Sequence, residues 1–138
     1  LMTEPDATIY ILGDFNDDPT DKSIKNELLM SACSKTDCST NFFNPMEKMH
    51  KKGMNTLAYR DGLNLFDQII FSKNLISREK SQTSFSFLRA GIYNPSYLIS
   101  QHGKYKGYPL RSFDNNRFSG GFSDHYPVFV ELIRGFSQ

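Results

Sequence analysis

Three stretches of this chain have the composition of strands, and each carries a polar group at an end or in its middle. Thr8-Ile9-Tyr10-Ile11-Leu12 is β-branched, aromatic and aliphatic without a polar break, which predicts a strand buried on both faces. It runs into the acidic turn Gly13-Asp14-Phe15-Asn16-Asp17-Asp18-Pro19. Residues 56–60 and 63–71 flank Asp61-Gly62, a pair that favours the type I′ turn of a β-hairpin. The second arm places Leu65, Asp67, Ile69 and Phe71 on one face, and Asp67 is anomalous there, because a buried charge needs a partner or a function. The chain closes on residues 126–133, where Val128, Val130 and Leu132 face one way and Phe129 and Ile133 the other. Ser123-Asp124-His125 precedes this strand, and Pro127 near its start is tolerable.

The remaining segments are less regular. Thr20 is placed to cap a helix whose apolar positions Ile24, Leu28, Leu29 and Ala32 share a face. Residues 33–54 have no period of 2 or 3.6 and read as a long loop holding the basic group Lys48, His50, Lys51 and Lys52, most simply a solvated face. Residues 84–88 form another short strand candidate, and residues 101–121, rich in Gly, Lys, Asn and Arg, read as a long surface loop. Strands outnumber helices, so the expected class is α/β in the α+β sense, with a mostly antiparallel sheet and few helices. A single helix cannot cover such a sheet, and further protein is expected to pack against it.

With 138 residues the chain is long enough for one domain with a real core, and its twelve Phe and seven Tyr make that core aromatic. Sixteen Lys and Arg against fifteen Asp and Glu leave a net charge of +1, which excludes a global field for nucleic acid or membrane. Any affinity for phosphate must therefore come from local chemistry. No apolar run approaches the length needed to span a bilayer, and the chain reads as soluble, with its compartment left open. Cys33 and Cys38 match neither a zinc ribbon nor a thioredoxin-type motif, and both free thiols and one short disulfide stay open.

Asp14, Asn16, Asp67, Asp124 and His125 are the candidate functional residues. Carboxylates and an amide are hard oxygen ligands that suit magnesium or calcium better than zinc, and the histidine suits a phosphate or base role. An EF-hand reading of residues 14–25 fails at Pro19, where glycine is required, and at Lys25, where glutamate is required. A serine hydrolase built on Ser123 and His125 lacks the closing glycine of a nucleophile elbow.

Ile11-Leu12-Gly13-Asp14-Phe15-Asn16-Asp17 resembles the GDFN motif of the endonuclease/exonuclease/phosphatase superfamily. Leu65-Phe66-Asp67-Gln68-Ile69-Ile70-Phe71-Ser72 is similar to its central aspartate strand, and Gly121-Phe122-Ser123-Asp124-His125-Tyr126-Pro127-Val128 to its closing motif, in the same order. The resemblance implies a DNase I-like fold, a four-layer α/β/β/α sandwich of which residues 1–138 would be the C-terminal half, the N-terminal half being a missing partner. It implies a metal-dependent phosphoesterase that attacks phosphorus with water. Asp14 would orient or deprotonate that water, Asn16 would hold a phosphate oxygen, and Asp67 would fix the tautomer of His125. His125 would stabilise charge on the phosphate, and Asp124 would ligate Mg2+, with Mn2+ or Ca2+ as alternatives. Asp17 and Asp18 receive no role. The expected substrate is a phosphate ester, nucleic acid among the candidates, and the isolated chain is expected to bind magnesium weakly and turn over poorly. The alternatives are a catalytically incompetent binding or scaffold module and a phospholipid or sugar-phosphate phosphodiesterase. Pro109 to Phe113 and Arg117 are expected either to line the cleft or to brace the loop.

Overall fold

The computed structural model describes residues 7–28, 30–31, 41–60, 62–76 and 85–134. Cys33, Cys38, Leu29, Ala32, Asp61, Ser84 and residues 1–6 lie outside the described residues. The described chain is strand-rich with few helices, and its sheets are largely antiparallel, in keeping with the expected α/β class.

The first sheet is built from β1 (Tyr10–Asp14), β2 (Met30–Ser31), β3 (Phe42–Phe43) and β6 (Asp67–Ser72), in the order β1-β6-β3-β2. Strand β6 is central and pairs antiparallel with β1 and β3, while β2 and β3 run parallel. The hydrophobic period of 2 along β6 divides its side chains between two cores, as expected for a strand with both faces covered. On one face Phe71 is fully buried and packs with Phe43, Leu75 and the half-buried Ile69. On the other, Ile70 is fully buried against Ile24, Ile11, Phe15 and Phe42.

The first face is covered by a ribbon of β7 (Phe85–Ile92) and β10 (Val128–Arg134), antiparallel, with a register shift between Glu131 and Leu132. Val130 and Leu132 point onto the β6 core as the alternation along β10 requires. Phe87 closes an aromatic triad with Phe43 and Phe71, with ring centroids 5.2 to 5.3 Å apart. Beside the shift, Arg89 grips Glu131 with two nitrogens, at 2.7 and 2.5 Å, and that hydrogen bonding holds the Glu131 carboxyl below the usual carboxylate range.

Several expectations need correction. Among the described residues strand β1 is an edge strand with one neighbour, and of residues 9–12 Ile9 and Ile11 are half-buried while Tyr10 and Leu12 are exposed, so the described chain does not cover it on both faces. The helix expected after residue 20 is one π-type turn, Ser23–Glu27. Thr20 does not cap it, because its hydroxyl is bonded to His50 Nδ1 at 3.2 Å. Ile24 is buried as expected, but Leu28 is exposed. The loop expected over residues 33–54 contains β3 and a helix, α1 (Met46–His50), and residues 43–47 are all buried. Its basic group does lie at an exposed helix end, with Lys51 paired to Glu47 and His50 turned inward.

The hairpin forms as β4 (Leu57–Tyr59) and β5 (Gly62–Asn64), but Tyr59 pairs with Gly62, which moves the turn one residue earlier, onto Arg60 with φ +47°. The expected second arm is also broken, since β5 and β6 belong to different sheets and the chain crosses between them at Leu65 and Phe66. The strand expected over 84–88 is the longer β7. Residues 101–121 are largely exposed, as expected, and carry a small hairpin of β8 (Phe113–Asp114) and β9 (Arg117–Phe118). Among the described residues no helix is long and apolar enough to cross a membrane.

Candidate active site

The antiparallel register of β1 and β6 places Asp14 directly opposite Asp67. Directly opposed residues of antiparallel strands share a face, and like charges there oppose pairing, so the arrangement costs stability unless one carboxylate is compensated. Asp67 is compensated: its Oδ2 lies 2.8 Å from His125 Nδ1. A carboxylate only accepts, so Nδ1 donates and Nε2 is the nitrogen left to a ligand. Both side chains are about four-fifths buried, which shields the pair from solvent screening (relative exposures 24% for His125 and 20% for Asp67).

Backbone contacts fix the pair. Leu57 and His125 form an antiparallel bridge, the Tyr126 amide donates to Thr56 O at 2.8 Å, and the Asp67 amide to Thr56 Oγ1 at 3.4 Å. Fully buried Thr56 therefore ties the start of β6 to the segment that carries His125. Ser123 Oγ accepts the His125 amide at 3.1 Å. Burial pushes the Tyr126 phenol above its usual value.

The acidic turn is fixed just as firmly. Asn16 sits at φ +54°, a left-handed conformation that asparagine tolerates, and its amide donates to Asp14 Oδ1 at 2.9 Å. The Phe15 amide bonds Phe66 O at 2.9 Å. Asp18, without a predicted role, is an anchor: its carboxylate accepts from the Leu65 amide at 2.6 Å and Asn64 Nδ2 at 3.2 Å, and lies 3.5 Å from His50 Nε2. Asp17 accepts from Ser23 Oγ at 2.7 Å and gives its carbonyl to Gln68 Nε2 at 2.7 Å. Gln68 is fully buried, and its Oε1 accepts from Asn44 Nδ2 at 2.7 Å. Asn44, Thr56 and Asp18 carried no signal that sequence reading could use, since each acts through partners far away in the chain.

Two grooves open at this end of the fold. A cleft of about 270 Å³ is lined by Asp67, His125, Leu98, Phe122, Ser123, Tyr126 and Pro127. Another, of about 320 Å³, is lined by exposed Asp124 with Arg111, Ser112, Phe113, Phe122 and Ser123. The two expected roles of Arg111 coexist, because it lines this second groove while Nη2 donates to Ala58 O at 3.1 Å. Thus Asp14, Asp67 and His125 come together by strand pairing and a direct hydrogen bond, Asn16 is tied to Asp14, and Asp124 opens into the adjoining groove. Among the described residues no three His, Cys, Asp or Glu side chains group to hold a metal ion. A hydrated magnesium needs only one or two carboxylates beside a substrate phosphate, so Asp124 fits as a single ligand and not as a closed site.

Neither a curated protein nor a solved structure matches this chain. Residues 1–134 match the model of the Endonuclease/Exonuclease/phosphatase family, the family that the three motifs resemble. The chain therefore belongs to the endonuclease/exonuclease/phosphatase family, a group of hydrolases acting on phosphate esters.

Proposed function

We propose that this protein is a metal-dependent phosphoesterase of nuclease-like type, hydrolysing a phosphodiester or phosphomonoester by direct attack of water at phosphorus. The observation that carries the reading is the Asp67–His125 hydrogen bond of 2.8 Å with Asp14 opposite Asp67 across the strand pair. In this reading Asp14, opposite Asp67 on the strand pair, orients the attacking water and takes its proton. Asn16 holds a phosphate oxygen through its side chain, the backbone of the turn being fixed by Asp14. His125, oriented by Asp67, donates from Nε2 to a phosphate oxygen as charge develops there. Because Asp67 is held on a strand and His125 by a bridge to Leu57, the donor is preorganised and need not be positioned at each turnover.

Asp124 would hold Mg2+, or Mn2+ or Ca2+, together with groups outside the described residues, and the ion would supply charge neutralisation at the phosphate and leaving oxygen. The four-layer, DNase I-like sandwich is proposed as the complete architecture, with residues 1–138 as its C-terminal half.

The test is hydrolysis of a generic phosphodiester and of plasmid DNA, with magnesium and with chelator. Magnesium-dependent turnover is expected of a polypeptide that also carries the proposed N-terminal half, with His125→Ala lowering it at least ~10²-fold; the variant should melt somewhat lower, because Asp67 is left uncompensated opposite Asp14, while circular dichroism shows it folded. Turnover that survives the chelator, or that His125→Ala leaves intact, contradicts the proposal.

A further inference from the structure

Phe122 is 66% exposed, yet its backbone is among the most tightly held at the site. Its amide donates to Leu110 O at 2.9 Å, and its carbonyl accepts from Ser112 Oγ at 2.8 Å. The preceding Gly121 packs so closely that a Cβ there would collide with the Leu110 and Arg111 carbonyls. The ring is therefore presented by a fixed frame. A large apolar ring kept in water gains nothing from the fold, so a rigidly presented one at the mouth of a site marks a contact surface.

Its position is specific. Phe122 lines both the cleft of Asp67 and His125 and the groove of Asp124 and Arg111, and so stands between them. Tyr97 meets it edge-on at 6.2 Å between centroids and is itself hydrogen-bonded, hydroxyl to hydroxyl, to Tyr93 at 2.9 Å. Phe113, 60% exposed, also lines the groove of Asp124 and is braced edge-on by Phe118 at 5.6 Å. The exposed large aliphatic side chains, Leu12, Leu28, Met54, Leu63 and Leu88, line neither groove, and half-buried Leu98 is the one leucine that lines the cleft. Flat rings beside a guanidinium favour a planar unsaturated group attached to a phosphate, whereas an acyl chain or a bilayer would be met by aliphatic side chains.

We infer that Phe122, backed by Tyr97, is a stacking platform for an unpaired nucleobase next to the phosphate, which makes single-stranded nucleic acid the substrate class. The inference deepens the phosphoesterase reading and rests on it for the hydrolytic step alone. A net charge of +1 suits a ligand held by stacking more than by phosphate neutralisation.

Fluorescence anisotropy in chelator, where nothing is cleaved, tests it with a short single-stranded DNA and with the same backbone carrying abasic sites. The base-bearing strand is expected to bind about 5- to 150-fold more tightly, the range for one stacked base. Phe122→Ala should erase that difference and Phe122→Tyr should keep it, with circular dichroism confirming the fold of both. Equal affinity for the two strands, no affinity for either, or a Phe122-dependence seen only with vesicles of anionic phospholipid overturns the proposal. Base-dependent binding by a protein that hydrolyses no phosphate ester would retire the enzymatic reading and leave the platform as a binding surface.

Discussion

Asp67 is the residue on which the site turns, because it answers to two neighbours of opposite character: Asp14 across the strand pair and His125 at 2.8 Å. Asp67→Asn keeps the volume and removes the charge that fixes Nδ1–H as the donor. We expect kcat to fall by roughly 10²–10⁴-fold with KM little changed, since in the proposed mechanism the interaction would be used as charge develops and not in binding. The double substitution Asp67→Asn/His125→Ala should cost no more than His125→Ala alone, and steady-state kinetics on the three variants checks this; additive losses would mean that Asp67 acts independently of His125. At this scale the sequence was readable where a polar residue interrupts an apolar strand, as Asp67 does, or ends one, as Asp14 and His125 do. It was silent on Asp18 and Asn44, whose chemistry is ordinary and whose meaning comes from distant partners: Leu65 for the first and Gln68 for the second.

The same distance-dependence explains which elements were legible. Strands β6 and β10 announced themselves by their apolar, β-branched and aromatic composition, and β7 was found in part. Strand β3 has two residues and α1 five, too short for any period to emerge, and both are specified by what they pack on. Phe43 enters the β6 core, and Asn44 caps the approach to α1 by accepting the Met46 amide at 3.0 Å while donating to Gln68. Asn44 thus joins α1 to β6, and Gln68 carries the link on to the carbonyl of Asp17 in the acidic turn. Asn44→Ala leaves Gln68 Oε1 and the Met46 amide without those partners in a buried place. Destabilisation of about 1–3 kcal/mol is expected, read as a lower urea midpoint at unchanged m. A midpoint equal to the parent's would show that the network contributes nothing to holding the turn.

For the whole molecule, the decisive fact is the asymmetry of cover over the first sheet. The β7–β10 ribbon lies on the face that carries Ile69 and Phe71, and the register puts Leu12 opposite Ile69 and Tyr10 opposite Phe71, on that same face. Cover over β6 and β3 is good, but the ribbon stops short of β1, where Leu12 is 68% exposed. That is why a stretch whose composition predicted burial on both faces came out bare: composition records what a strand is suited to meet, and β1 meets only β6 in the described chain. A four-layer sandwich would extend the second sheet past the ribbon and onto Leu12. The consequence is measurable with one substitution in two settings. In the 138-residue chain alone, Leu12→Ala should change stability by no more than about 0.5 kcal/mol, as at an ordinary surface position. In a polypeptide that also carries the proposed N-terminal half, the same change should cost about 2–5 kcal/mol, because it would open a cavity in an inter-sheet core. Urea unfolding of the two pairs gives the answer, and a small effect in both would remove the four-layer architecture while leaving the Asp14, Asp67 and His125 site untouched.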